Sequence, residues 1–274
     1  METTSRPALA AARTEPVWPV FVAFAASTGA IVATSQPLLS LALPASGADT
    51  GVGLPILLAL SLRVALVFLL ASLAVSRPPR RESLRLAAGR LTGQHVFVIM
   101  IGAAALGQAY DHASQLFGSE ETPAWKAVQQ SLGAAHGAAL LAALIAIGPI
   151  SAGCQDLFFR GAMQTRLMHR WGPTAAVAVT SVCFALAQRH PPQMGSALLL
   201  GLYAGSLTEL SGSVWAGVAA HVIHNTLATG LAPLELPRSA AVNAGACAVA
   251  FAIAAIAFLW LRNALVSRAL GRSV

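Results

Sequence analysis

Gln155-Asp156-Leu157-Phe158-Phe159-Arg160-Gly161 follows directly on an apolar run over residues 131–154. A run of roughly 20 such residues is long enough to cross a bilayer as a helix. An amide, a carboxylate and a guanidinium therefore stand at the edge of a membrane segment. Such groups are costly in hydrocarbon unless paired, which makes each a candidate for function. Asp156 and Arg160 are four residues apart with the acid first, the favourable order for an ion pair on one helix face.

The rest of the chain has the same character. Of its 274 residues, 56% are hydrophobic and 10% charged, and the mean hydropathy is +0.69. Soluble domains are about a quarter charged. The composition predicts an all-α fold, a polytopic transmembrane helical bundle of about eight helices. Apolar segments lie near residues 17–43, 52–75, 95–110, 131–154, 174–188, 194–210, 214–230 and 240–261. The third and fifth are short for a span. No long polar linker divides them, so one transmembrane domain is expected over 17–262, after a polar tail at 1–16 and before a basic tail at 263–274. The first run is too long for a cleaved signal sequence and reads as a retained span.

The net charge of +7 is almost all arginine. The arginines flank apolar segments, so membrane topology accounts for them better than nucleic-acid binding. Residues 77–90 hold Arg77, Arg80, Arg81, Arg85 and Arg90 against Glu82, which marks a cytoplasmic loop. Asp111, Glu120, Glu121 and Lys126 then fall outside. Arg160, Arg166 and Arg170 fall inside, as do Arg262, Arg268 and Arg272. Eight helices with both termini cytoplasmic satisfy every cluster. An alanine-, glycine- and arginine-rich chain of this kind suits a bacterial inner (plasma) membrane. Trp18, Trp215 and Trp260 sit where interfacial anchors belong. The GxxxG pairs Gly133/Gly137 and Gly201/Gly205 would allow close helix approach. Cys154, Cys183 and Cys247 have no CxxC or zinc-ligand spacing and read as small buried residues.

Two further segments carry polar groups at helical spacing. Phe184 and Gln188 are four apart, with Ser181 one turn earlier. His221 and Asn225 are four apart, with His224 between them. Taken singly, each could simply hydrogen-bond a neighbouring helix. Together, three blocks in order read QDLFFRG (155–161), FALAQ (184–188) and HVIHN (221–225).

This set resembles the CAAX protease and bacteriocin-processing (Abi) family of glutamic-type intramembrane endopeptidases. That family carries E-E-x-x-x-R, F-x-x-x-H and H-x-x-x-N or H-x-x-x-D on a helical membrane core. The F-R-G of residues 159–161 and the stretch GSVWAGVAAHVIHN (212–225) match as well, so the resemblance covers about residues 130–230. It implies that Gln155 takes the place of the water-activating glutamate and Gln188 that of its partner histidine. Asp156 takes the place of the arginine's partner, with Arg160 intact. His221 and Asn225 match the oxyanion pair.

The departures fall on the base. A general base must gain a proton in the transition state, and loss of such help typically costs about 10²–10⁴ in rate. A neutral glutamine can orient a water but cannot deprotonate it. Asp156 lies about 100° further around the helix, is one methylene shorter, and would have to leave Arg160. His190, beyond Gln188 and before Pro191, could bend back as a substitute base if the helix ends there. His224 points about 100° from Asn225. His221 and His224 could together bind a metal only with an outside carboxylate, and there is no HExxH motif. No cofactor and no metal are expected.

Arg63 lies mid-way along the second apolar segment. It could pair with a carboxylate, line a cavity, mark a helix break, or simply face the bundle. The leading expectation is a degenerate protease that binds a peptide or membrane-protein partner without cutting it. An active endopeptidase using Asp156 or His190 as base is the alternative, and a transporter or membrane scaffold the third. The lipid bilayer is the expected environment, with no nucleic-acid partner.

Overall fold

Proline and glycine set the helix boundaries. The computed structural model describes residues 16–42, 53–117, 123–232 and 239–271. The N-terminal tail up to residue 15, Glu120, Glu121 and Arg272 lie outside the described residues. The helices are α1 (Trp18–Ala42), α2 (Leu54–Val75), α3 (Gly93–Phe117), α4 (Pro123–Gly133) and α5 (Gly137–Trp171). They continue as α6 (Pro173–Gln188), α7 (Pro191–Ser211), α8 (Val214–Leu231) and α9 (Ala240–Ala269). No strand occurs among the described residues. The fold is an all-α bundle, as expected.

Gly172 takes φ 84° and Pro173 opens α6, so the chain turns sharply after Trp171. At the far end of α6, Arg189 adopts the left-handed conformation and His190 is extended ahead of Pro191 and Pro192. A residue before proline is pushed out of the helical region, so α6 ends where the two prolines require. Between α7 and α8, Gly212 lies at φ 72° and its N–H closes on the Thr208 carbonyl. The Ser213 hydroxyl then caps α8 by accepting from the Trp215 N–H. Glycine past a C-terminus and serine before an N-terminus are the residues these positions favour.

Helix lengths correct three expectations. The third segment is not short: α3 has 25 residues. The fourth does not stop at Cys154. It starts at Gly137 and continues unbroken to Trp171, so residues 155–161 lie within the helix and not at its end. The last helix extends through Ala269, taking in much of the expected basic tail. Among the described residues, five helices are long and apolar enough to cross a membrane: α2, α3, α5, α9 and, over Trp18–Ser35, α1. Pro173–Gln188 is a shorter apolar helix.

The long helix α5 is not uniform. It is π-helical over Ala146–Ala152, which contains Pro149, returns to α over Gly153–Asp156, and is π-helical again over Leu157–Met163. Proline has no N–H to give the ladder, and π segments of this kind recur at functional sites. The i→i+5 pattern turns the helix less per residue, which re-aims every side chain downstream.

Phe158 and Phe159 of the second π segment are fully buried. They pack on Phe68 of α2 (5.5 and 5.1 Å between centroids), on Phe24 of α1 (6.1 Å) and on Phe184 of α6 (5.2 Å). In lipid such rings gain dispersion contacts rather than escape from water. The Gly201/Gly205 pair brings α7 close to its neighbours: a Cβ at Gly201 would lie 2.9 Å from the Ser181 Cβ, and one at Gly205 2.9 Å from Gln164 Oε1. Gly133 and Gly137 straddle the α4–α5 junction and make no such approach.

Candidate functional site

Asp156 stands at the junction of the α turn and the second π segment and is completely buried, as are Arg160 at 1% and His221 at 3% exposure. Arg160 Nη1 lies 2.6 Å from Asp156 Oδ1. His221 Nδ1 meets the other oxygen, Oδ2, at 3.0 Å. One carboxylate thus bridges a guanidinium on its own helix and an imidazole on α8. A buried charge without a partner is strongly destabilising, and loss of one partner typically costs about 3–5 kcal/mol.

Phe184 of α6 closes the cluster. Arg160 Cζ sits 4.2 Å from the centre of its ring, a cation–π contact that gains strength where water is excluded. The same Phe184 ring touches His221, with ring centroids 5.1 Å apart and planes near perpendicular. Gly217, one turn before His221, makes room for the pair: a Cβ there would lie 3.2 Å from Arg160 Cγ, 3.2 Å from Thr208 Oγ1 and 3.4 Å from Asp156 Oδ1.

The two glutamines are engaged locally. Gln155 is buried, and its amide nitrogen donates to Ser151 Oγ at 3.1 Å, one turn back. Gln188 is half-buried and donates to its own helix's Phe184 carbonyl at 3.4 Å. Asn225 donates to the Ile147 carbonyl at 3.2 Å, tying α8 to the Pro149-containing π segment. His224 turns away from this seam: its Nε2 lies 3.2 Å from Ser196 Oγ on α7. His190 is buried at the N-cap of α7. His221 and His224 therefore face different helices. Among the described residues no group of three His, Cys, Asp or Glu side chains is gathered as a metal site.

Six of the expected site residues lie along one seam of α5, α6 and α8, while His190 is at the α7 N-cap and His224 faces α7. Asp156, Arg160, Phe184 and His221 are in direct contact, with Gln155 beside them. Gln188 lies one turn beyond Phe184 and Asn225 one turn beyond His221.

Three supporting residues lie outside the three motif blocks. Ser151 could have been found from its i,i+4 spacing to Gln155. Gly217 lies in the quoted stretch but gives no signal of its own. Glu209 is invisible as a partner until the chain folds. Arg85 makes a two-pronged pair with it (2.8 and 3.2 Å), and Gln164, one turn beyond Arg160, donates to it at 2.7 Å. Around this pair the Trp215 indole donates to the Leu86 carbonyl (2.8 Å), and the Arg90 N–H donates to the Ser211 carbonyl (2.9 Å). The arginine-rich loop is thereby bound to the α7–α8 turn, from which Gly217 and His221 follow.

Residues 137–227 match the family model described as Rce1-like, type II CAAX prenyl endopeptidase Rce1-like. Over that stretch, from the start of α5 to the His221/Asn225 turn of α8, the chain is similar to the CAAX-protease family. The match spans the whole seam described above. No curated protein and no solved structure matches the chain.

Proposed function

We propose that this integral membrane protein uses a CAAX-protease-type core to receive a peptide segment of a membrane partner without hydrolysing it by the family's water-activation route. One observation carries the reading. Both oxygens of Asp156, the carboxylate of the seam, are engaged, one by Arg160 and one by His221. The positions that correspond to the water-activating pair hold the amides of Gln155 and Gln188, which cannot take up a proton. Asp156 could act as a base only by leaving two partners in a buried site. The loop of residues 77–90 is placed in the cytoplasm in this reading, with both termini on the same side and the bacterial inner membrane as the setting.

The Asp156–His221 contact also favours a second reading. A carboxylate that receives Nδ1–H leaves Nε2 of the imidazole as the proton acceptor, the arrangement of an aligned histidine base. An active endopeptidase would then work through His221.

Cleavage of a membrane-peptide library by the wild-type protein in liposomes separates the two. The non-cleaving reading expects peptide retained and no new termini. Turnover that disappears in His221→Gln would establish the second reading instead.

A further inference from the structure

Arg63 stands ten residues into the 22-residue helix α2. At a rise of 1.5 Å per residue this is about 14 Å from one helix end and about 18 Å from the other, too deep for the side chain to reach an interface. Its guanidinium is held by neutral oxygens of α1: Nη1 donates to Thr34 Oγ1 at 2.8 Å and Nη2 to Ser35 Oγ at 3.1 Å. Each hydroxyl directs its own proton to a backbone carbonyl of α1, Thr34 to Ala30 and Ser35 to Ile31, both at 2.6 Å. Nε is buried with no hydrogen-bond partner. The helix is unbroken here, and among the described residues no carboxylate pairs with Arg63. Burial disfavours its charge, and Arg189, of like sign, adds to this. Among the described residues Arg63 thus has acceptors but no counter-charge, in the part of the bilayer where a cation is most costly.

The packing of α2 on α5 places this cation beside the seam. The Val75 carbonyl accepts from Arg166 at 3.0 Å, and Phe68 packs on Phe158 and Phe159. The same parallel register, carried back along both helices, sets Arg63 level with Cys154 and Gln155. Arg189 immediately follows Gln188. The neighbouring Leu62 and Leu66 are 45% and 55% exposed, so this face of α2 is open to the hydrocarbon. Of the four acidic residues among those described, Glu82 and Glu209 lie at the arginine-rich end, Asp111 is on α3, and Asp156 is enclosed. Among its described residues, a second copy of the chain offers no carboxylate there.

We propose that Arg63 recognises a carboxylate side chain within the bilayer-embedded stretch of a partner's transmembrane helix, seated against α2 beside Gln155. The proposal rests on the reading that the core receives a peptide segment, and adds the chemistry by which the segment is chosen. Charge complementarity is the argument: the ion pair neutralises both charges at a depth where neither is stable alone.

The test uses the full-length protein in phosphatidylcholine nanodiscs, with a benzophenone amino acid replacing Leu66 or, separately, Gln188. Synthetic Leu/Ala transmembrane peptides differ only in a central Asp, Asn or Leu. Light-driven capture of the Asp peptide should exceed that of the Asn and Leu peptides by about tenfold, equivalent to roughly 1.4 kcal/mol. Arg63→Gln should reduce the Asp peptide to the level of the others, and Arg63→Lys should retain part of the preference. Equal capture of all three peptides by the otherwise wild-type protein would overturn the role of Arg63, whatever the variants do. So would stronger capture of a Leu peptide that ends in a free carboxylate at mid-membrane, or loss of the Asp preference when phosphatidylglycerol is added. Capture of no peptide at either position would count against the peptide-receiving reading itself.

Discussion

Asp156 and His221 meet at 3.0 Å across the contact between α5 and α8, although Asp156 already has Arg160 as a partner on its own helix. The carboxylate is therefore the joint of the seam. It fixes which imidazole nitrogen faces the acid, draws α8 onto the π-helical part of α5, and neutralises an arginine buried to 1% exposure.

Removal of that joint should be expensive. Asp156→Asn leaves the Arg160 cation buried without a counter-charge and should destabilise the protein by about 3–5 kcal/mol. Denaturant unfolding in mixed micelles, followed by tryptophan fluorescence, measures it. The double variant Asp156→Leu/Arg160→Met removes both charges and should recover most of the loss. If the double variant is as unstable as the single one, the ion pair is not what Asp156 contributes.

Gly217 should tolerate no side chain. A methyl group there would press on Arg160 and Thr208 at 3.2 Å, and overpacking of this sort costs about 1–3 kcal/mol. Gly133→Ala is the control, because its nearest neighbour would be the Ala232 carbonyl oxygen at 3.9 Å. Thermal unfolding midpoints of the two variants should separate clearly, with only Gly217→Ala lowered.

The arginine-rich loop should detach when its anchor is cut. Arg85→Gln removes the two-pronged contact to Glu209, and a hydrogen bond to a charged group is worth about 1.5–3 kcal/mol. Hydrogen exchange should quicken over residues 84–92 and 210–216, while residues 95–105 of α3 keep their protection. Exchange that is unchanged in the loop would show that its backbone bonds alone hold it.

Much of this arrangement is legible in the sequence because it is local. Apolar runs locate the helices, Pro191 and Pro192 end α6, and the four-residue spacing of Asp156 and Arg160 anticipates their pair. The remainder depends on distant contacts or on helix winding. Pro149 gives no warning that α5 would stay continuous through two π segments, so a regular-helix estimate of where Gln155 and Asp156 point could not hold across them. Nothing in the order of residues assigns His221 to Asp156 and His224 to Ser196, since both lie on one helix within a turn. Arg85 reads as a topology signal alone, yet it also binds Glu209, more than a hundred residues away. Arg63 stands out in the sequence for its depth in an apolar run. Its hydroxyl partners on α1 appear only when the two helices are packed.

The most direct test of the central claim is single-turnover proteolysis in reconstituted liposomes, comparing wild type with Gln155→Glu/Gln188→His on the same membrane-peptide substrate. The proposed assignment of Gln155 and Gln188 to the water-activating positions predicts no cleavage by wild type, and cleavage in the double variant that is abolished by a further His221→Ala. Robust cleavage by wild type would contradict the account, and its loss in His221→Gln or His190→Ala would show which histidine serves as base instead.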